Sequence, residues 1–245
     1  MNKIRFDQHQ FRVLSQRYGH LLLSDYRAVF LNLLQVALIG LSVAGVWRNI
    51  SGDSLTLYFV LCLSCFFFGA INSCREIVKE RTLFLRERMF SLSVASYLAS
   101  KYLVQSVVIL FQTLLLFALV SLFIPLDVPI VVLMLAGVLV SWTGMALGFF
   151  VSAMVRTTDR AVVCVPLLII PQILFSEFAL GEGKLSNWTE SAQFTMPVYW
   201  GYESMKMWWQ EGDSIVSTSF HILPLALMIA GLFVVTLWQL KQAKD

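Results

Sequence analysis

Charge is scarce in this chain. Of its 245 residues only 13% are Asp, Glu, Lys or Arg, while 58% are hydrophobic and the mean hydropathy is +0.75. That balance excludes an ordinary soluble globular domain, in which roughly a quarter of residues are charged. Histidine is scarcer still. His9, His20 and His221 are dispersed, and neither HExxH nor GxSxG occurs, so a membrane-bound hydrolase or metalloenzyme has no constellation to rest on. Cys62, Cys65, Cys74 and Cys164 all fall within or at the ends of apolar runs. Cys62-x-x-Cys65 has redox or zinc spacing, but no second pair or histidine cluster accompanies it, which favours packing or lipid contact. A complete phosphate loop is missing too. Gly181-Glu-Gly-Lys184 lacks the first glycine, and Leu185 stands where Ser or Thr is needed. Asn187-Trp188-Thr189 is a glycosylation acceptor only in a eukaryotic secretory pathway. The first apolar run is too long for a secretory signal and lacks a small-residue cleavage site, so it is expected to be a retained span.

What the chain does have is apolar length. Uncharged runs occupy 28–47, 54–74, 102–126, 128–155 and 214–240, each able to cross about 30 Å of hydrocarbon at roughly 1.5 Å per residue. A sixth, 161–176, reaches 180 if Glu177 is tolerated near its end. We expect an all-α integral membrane protein with six transmembrane helices; five is the alternative, with 161–180 re-entrant. The distribution of Lys and Arg orients it. With six spans, fifteen of the eighteen lie on one side and only Arg48, Lys184 and Lys206 on the other, so both termini are expected in the cytoplasm. The positive charge is a topology signal and calls for no nucleic acid.

Between the second and third runs, Arg75 to Arg88 reads REIVKERTLFLRER, with eight charged residues of fourteen. It cannot sit in hydrocarbon. Val78, Thr82, Leu85 and Met89 recur at helical spacing, and no Pro or Gly interrupts them, so a cytoplasmic helix is expected over 75–92. Residues 9–26, with Phe11, Leu14, Tyr18, Leu21 and Leu22, predict an amphipathic helix at the membrane interface, touching membrane lipids. Pro166 and Pro171 predict a kink in the fifth run. The aromatic stretch 181–213 predicts short helices at the outer interface. Asn32, Gln35, Gln105, Gln112 and Gln172 lie within spans, and each needs a partner away from lipid.

This order of elements resembles the membrane domain of type-2 ABC exporters, including the G subfamily of ABC transporters. The resemblance rests on Lys79-Glu80-Arg81-Thr82-Leu83-Phe84-Leu85-Arg86-Glu87 followed by Ser96-Tyr97-Leu98-Ala99, which is similar to the family's coupling helix and the start of its third span. It rests also on Phe175-Ser176, Trp188 and Pro197-Val-Tyr199, similar to its outer re-entrant segment between spans five and six. The resemblance implies a single membrane domain over 1–245 that acts as the permease subunit of an ATP-driven exporter. Such a chain is not itself an enzyme and holds no cofactor. ATP and Mg belong to a separate ABC ATPase subunit, and a second permease copy or a homologous permease completes the assembly. A plasma membrane, the bacterial inner membrane, is the implied setting.

The resemblance further implies that Glu80, Arg81, Phe84, Arg86 and Glu87 contact the ATPase, with Phe84 as anchor. By motif offset, Phe68, Ile170 and Ile173 match positions lining the family's central path, and Phe178 and Ala179 match an apolar outer plug. Ordinary packing would account for each of them equally. Glu177 stands where that segment usually has Gly, and an ionisable side chain there either reaches water or lines an exit path. Gln105 and Val107 replace the usual Glu and Pro. Substrate class is not legible. A secondary transporter or channel is the rival, argued against by the missing inverted repeat and midplane acid; a non-transporting membrane anchor is another.

Overall fold

The computed structural model describes residues 6–48, 54–180, 187–211 and 215–242. Among them there are helices and no strand. The helix α1 (Gln8–Ser24) is capped by Asp7, whose carboxylate accepts from the backbone N–H of His9 and Gln10. Asp25 ends α1 and caps α2 (Tyr26–Trp47) in turn, accepting from Ala28 N. One acidic residue thus turns the chain from one helix into the next, because its side chain replaces the backbone partners that each helix end lacks.

There follow α3 (Leu55–Ser73), α4 (Arg81–Met89), α5 (Val94–Ser121), α6 (Ile130–Met154), α7 (Thr158–Leu174), α8 (Glu177–Leu180), α9 (Asn187–Gln193), α10 (Pro197–Glu211) and α11 (Ile215–Gln242). Five helical stretches are long and apolar enough to cross a membrane: Tyr26–Trp47, Leu55–Met89, Val94–Ser121, Ile130–Met154 and His221–Gln242. The sixth predicted run is divided. With Pro166 and Pro171 inside it, α7 runs for 17 residues, about 25 Å at 1.5 Å per residue. Phe175 and Ser176 then break the path before α8 resumes it.

The closest packing joins α3 to α6. A Cβ at Gly69 or Gly144 would collide with the carbonyl oxygen of Ser141 or Phe66, and one at Gly148 would lie 2.7 Å from Ala70 O. Small residues four apart let two backbones touch, which is how helices gain contact where lipid competes with side chains. The buried amides are mostly paired. Asn72 Nδ2 donates to Gln112 Oε1, and Gln112 Nε2 donates to Asn32 O at 3.3 Å, tying α3, α5 and α2 together. Thr113 and Ser141 pair their hydroxyls at 3.1 Å between α5 and α6.

The continuous helix expected over 75–92 is not observed. Cys74 to Ile77 turn, Val78–Glu80 make one 3-10 turn, and the α-helix covers only Arg81–Met89. The reason is local: Ser152 Oγ on α6 accepts from both Ile77 N and Val78 N at 3.0 Å. Backbone donors satisfied from outside allow the chain to leave the helical path. At the other end Ser91 has φ 77°, a left-handed turn that stops α4 and aims the chain into α5.

Candidate functional site

The charged segment is built around a buried polar cluster. Lys101, on the first turns of α5, is 2% exposed, and its Nζ lies 2.6 Å from Glu80 Oε2. The same ammonium sits 3.8 Å from the ring centre of Tyr18 and 5.7 Å from that of Tyr97. The Tyr18 hydroxyl donates to Glu76 Oε2, with Gln105 Oε1 3.3 Å away, and Lys79 Nζ closes on Glu76 Oε1 at 2.6 Å. Burial and the Glu76 carboxylate push the Tyr18 phenol well above its usual range, so it stays a donor. Arg17 pairs with Glu87 at 2.7 Å, and that hydrogen bond raises its already high pKa.

Two arginines extend the wiring. Arg81 donates to Val155 O at 3.0 Å, the end of α6. Arg88 donates to Leu240 O at 3.1 Å and Lys241 O at 2.6 Å, the last turn of α11, where a cation satisfies orphan carbonyls and complements the helix dipole. At the same end Asp7 N donates to Ser96 Oγ at 2.8 Å and Ser93 N to Gln10 Oε1 at 2.8 Å. The inward side chains of residues 76–88 are therefore bonded to α1, α5, α6 and α11.

Five residues were expected to meet a partner here, and the structure separates them. Glu80 belongs to Lys101, Glu87 to Arg17, and Arg81 to the end of α6. Phe84 is 2% exposed and packs on Tyr97, ring centroids 4.8 Å apart. Its anchoring role is thereby corrected: an aromatic placed among charges finds its apolar contact inside its own chain. Only Arg86 of the five is exposed. The outward face consists of Arg75, Lys79, Thr82 and Arg86, ending in Met89 and Phe90, which are 76% and 81% exposed. Of the weakly apolar face that periodicity predicted, Thr82 and Met89 are exposed, Leu85 is half-buried and Val78 is buried.

Tyr18, Glu76, Arg88 and Lys101 were missed from sequence. One signal was available, a lone lysine opening an apolar run. Its partner could not be read, because Glu80 lies 21 positions away on a segment whose helical phase is broken.

The opposite end carries the aromatic stretch. Phe178 on α8 packs against Phe59 of α3 (centroids 4.7 Å apart) and Tyr202 of α10 (5.3 Å). Glu177 Oε2 meets Lys206 Nζ at 3.3 Å, bridging α8 to α10. Gln172 ties α7 to the same region, accepting from Val198 N at 3.2 Å and donating to Met196 Sδ at 3.3 Å. Of the predicted path residues, Ile170 and Ile173 lie exposed on α7. Phe68 does not line a path, being fully buried in the core; it is its neighbour Phe67 that is partly exposed. The side chain of Ala179, Lys184 and the Gly181–Lys184 stretch lie outside the described residues. A cleft of about 460 Å³ opens between α6, α7 and α11, walled by Leu147, Leu167, Leu168, Pro171 and Leu232. Ile170 and Ile173 are not part of it.

Apolar helices of spanning length, glycine-mediated packing and charges confined to the helix ends define a multi-pass, all-α membrane protein. The profile of the ABC-2 type transporter family matches residues 9–208. The chain belongs to that family and is a transmembrane permease component of an ABC-type transporter. No curated protein matches it.

Proposed function

We propose that the chain is the permease subunit of an ATP-driven exporter. It forms the substrate path in a plasma membrane, has both termini and the segment 75–92 in the cytoplasm, and pairs with a second permease and with separate ATPase subunits that bind ATP and Mg. One observation supports this most. The charged segment is bonded inward to four helices while presenting outward a face of Arg75, Lys79, Thr82, Arg86, Met89 and Phe90. A solvated loop needs no such wiring. A segment that must receive a displacement and pass it on does.

In this reading the basic stripe sets orientation against an acidic surface of the ATPase, and the exposed Met89–Phe90 pair supplies the apolar contact. Movement of α4 reaches α5 through Glu80–Lys101 and Phe84–Tyr97, α6 through Arg81, and α11 through Arg88. Alternating arrangements of those helices then open the path to one side or the other. The test is co-purification of the ATPase with the variants Arg86→Glu and Phe90→Ser, alongside ATP-dependent transport. Both variants should lose the partner while remaining folded. Full retention of partner and transport in both would overturn the reading.

A further inference from the structure

The cleft of about 460 Å³ between α6, α7 and α11 lies deep in the span of the helices. On α11 it runs from Met228 to Val235, the middle of the spanning stretch His221–Gln242. That wall is about 10 Å long at 1.5 Å per residue, inside a hydrocarbon core about 30 Å thick. On α6 it reaches Thr143 and Leu147, about two turns or more from either end of that helix. The room has a definite source. Gly231 lines the cleft without a side chain, and a Cβ there would meet nothing within 4 Å.

Its chemistry is one-sided. Three lining residues are polar, and each already has a partner. Thr143 Oγ1 donates to Leu139 O at 2.8 Å, and Thr195 Oγ1 to Ala192 O at 2.7 Å. Gln172 accepts from Val198 N and donates to Met196 Sδ. The remaining walls are Leu, Met, Val, Pro and Gly. A polar guest would give up its water for groups already engaged, whereas an apolar cleft stays dry and takes apolar guests. The mouth opens onto side chains that face out of the bundle. Leu167, on the wall itself, is 64% exposed, and Leu227 and Val234 beside it on α11 are each 63% exposed. The cleft is therefore continuous with the surface that bilayer hydrocarbon covers, at a depth where the bilayer offers hydrocarbon alone.

We propose that this cleft is a binding site for one acyl chain of a bilayer phospholipid, held between α7 and α11 while the headgroup stays at the membrane surface. A volume of this size is that of a small-molecule site between helices, and filling it restores to the walls the dispersion contacts that an empty groove lacks. The site selects the chain and is indifferent to the headgroup, because its polar groups are engaged within the protein. The occupant supports α7 at the level where Gln172 ties that helix to Met196 and Val198. It is a resident lipid rather than cargo, and its binding rests on the membrane-spanning fold, not on the exporter reading.

Two measurements on the purified full chain test this, both with a phosphatidylcholine that carries a diazirine near the end of one acyl chain. In bilayers, illumination should label the cleft walls at Leu167 and Leu232, read by mass spectrometry of the peptides. Gly231→Trp, which fills the cleft from an open position, should lower that labelling several-fold and leave the exposed Leu38 and Leu41 of α2 labelled as before. Equal labelling of the cleft in variant and wild type would overturn the proposal. The second measurement needs no variant. Titrated into the wild type in detergent, the probe should label the cleft saturably while labelling at Leu38 and Leu41 keeps rising, and a phosphatidylglycerol probe with the same chains should give the same curve. A cleft signal that rises in parallel with α2, or that one headgroup alone supports, would overturn it. So would shielding of the cleft in the assembled permease, which would assign the space to a second copy. Neither measurement reads ATPase association or transport, so failure here and failure of the exporter reading are separate results.

Discussion

Phe84 and Tyr97 lie ring against ring, centroids 4.8 Å apart and planes inclined at 37°. Tyr97 in turn lies near the Lys101 ammonium, which is paired with Glu80. An aromatic stack and a buried ion pair therefore hold the same two elements, the charged segment and the start of α5. The stack supplies contact area, and the ion pair sets the register between them.

Replacing Phe84 by Ala should cost about 3–5 kcal/mol of stability, the range for emptying a large aromatic site in a core. Phe84→Leu should cost much less. Thermal unfolding of the purified variants checks both. Loss of partner binding without loss of stability in Phe84→Ala would contradict the packing role.

The Glu80–Lys101 pair should behave as a unit. Lys101→Met alone leaves a carboxylate without its cation, a change worth about 3–5 kcal/mol when the site is buried. Lys101→Met combined with Glu80→Gln should recover most of that loss. A double-mutant cycle on unfolding midpoints gives the coupling, and simple additivity would refute it.

Arg88 should matter for transmission more than for assembly. Arg88→Gln removes the two hydrogen bonds to the end of α11 while leaving the outward face intact. ATPase co-purification should persist while transport per ATP hydrolysed falls several-fold. An unchanged coupling ratio in a reconstituted assay would exclude the link.

Glycine replacements should separate sharply by position. Gly144→Ala drives a Cβ into the Phe66 carbonyl and should prevent folding or leave little extractable protein. Gly231→Ala meets nothing within 4 Å and sits within α11. It should be neutral or stabilising by up to about 1 kcal/mol. Yield and unfolding temperature read both.

The pH dependence at Glu203 has a definite sign. Its pKa in the folded chain is raised above the usual value near 4.5, chiefly by burial. The folded state therefore keeps its proton longer than the unfolded one, and stability falls as pH rises from the unfolded pKa through the folded one. Glu203→Gln should be more stable than wild type at neutral pH, with the difference vanishing below about pH 4. A difference that grows on acidification would have the wrong sign.

Much of this protein was legible along the chain. Long uncharged runs have one stable solution in lipid, the helix, because backbone groups there find no water, and the runs of the first four spans match helices closely. The charge of 75–88 and the prolines of α7 were likewise visible, since solvation and ring closure act within a few residues, whereas the cap at Asp25 emerged only in the structure. The family was also within reach, as the order of these elements carries it.

Tertiary structure alone decided which way each charged side chain points. Glu80, Glu87 and Phe84 read as an outward surface until Lys101, Arg17 and Tyr97, contributed by other helices, took them inward. The exposed stripe of the charged segment is Arg75, Lys79, Thr82 and Arg86, without the glutamates that lie beside them in the sequence pattern, and Phe67 rather than Phe68 is the partly exposed phenylalanine of α3. The Glu177–Lys206 pair joined residues 29 positions apart. The physical reason is common to all of these. Hydrophobicity decides where a segment lies and can be summed along a window, whereas the pairing of a charge or ring depends on contacts a few ångströms long between residues distant in sequence.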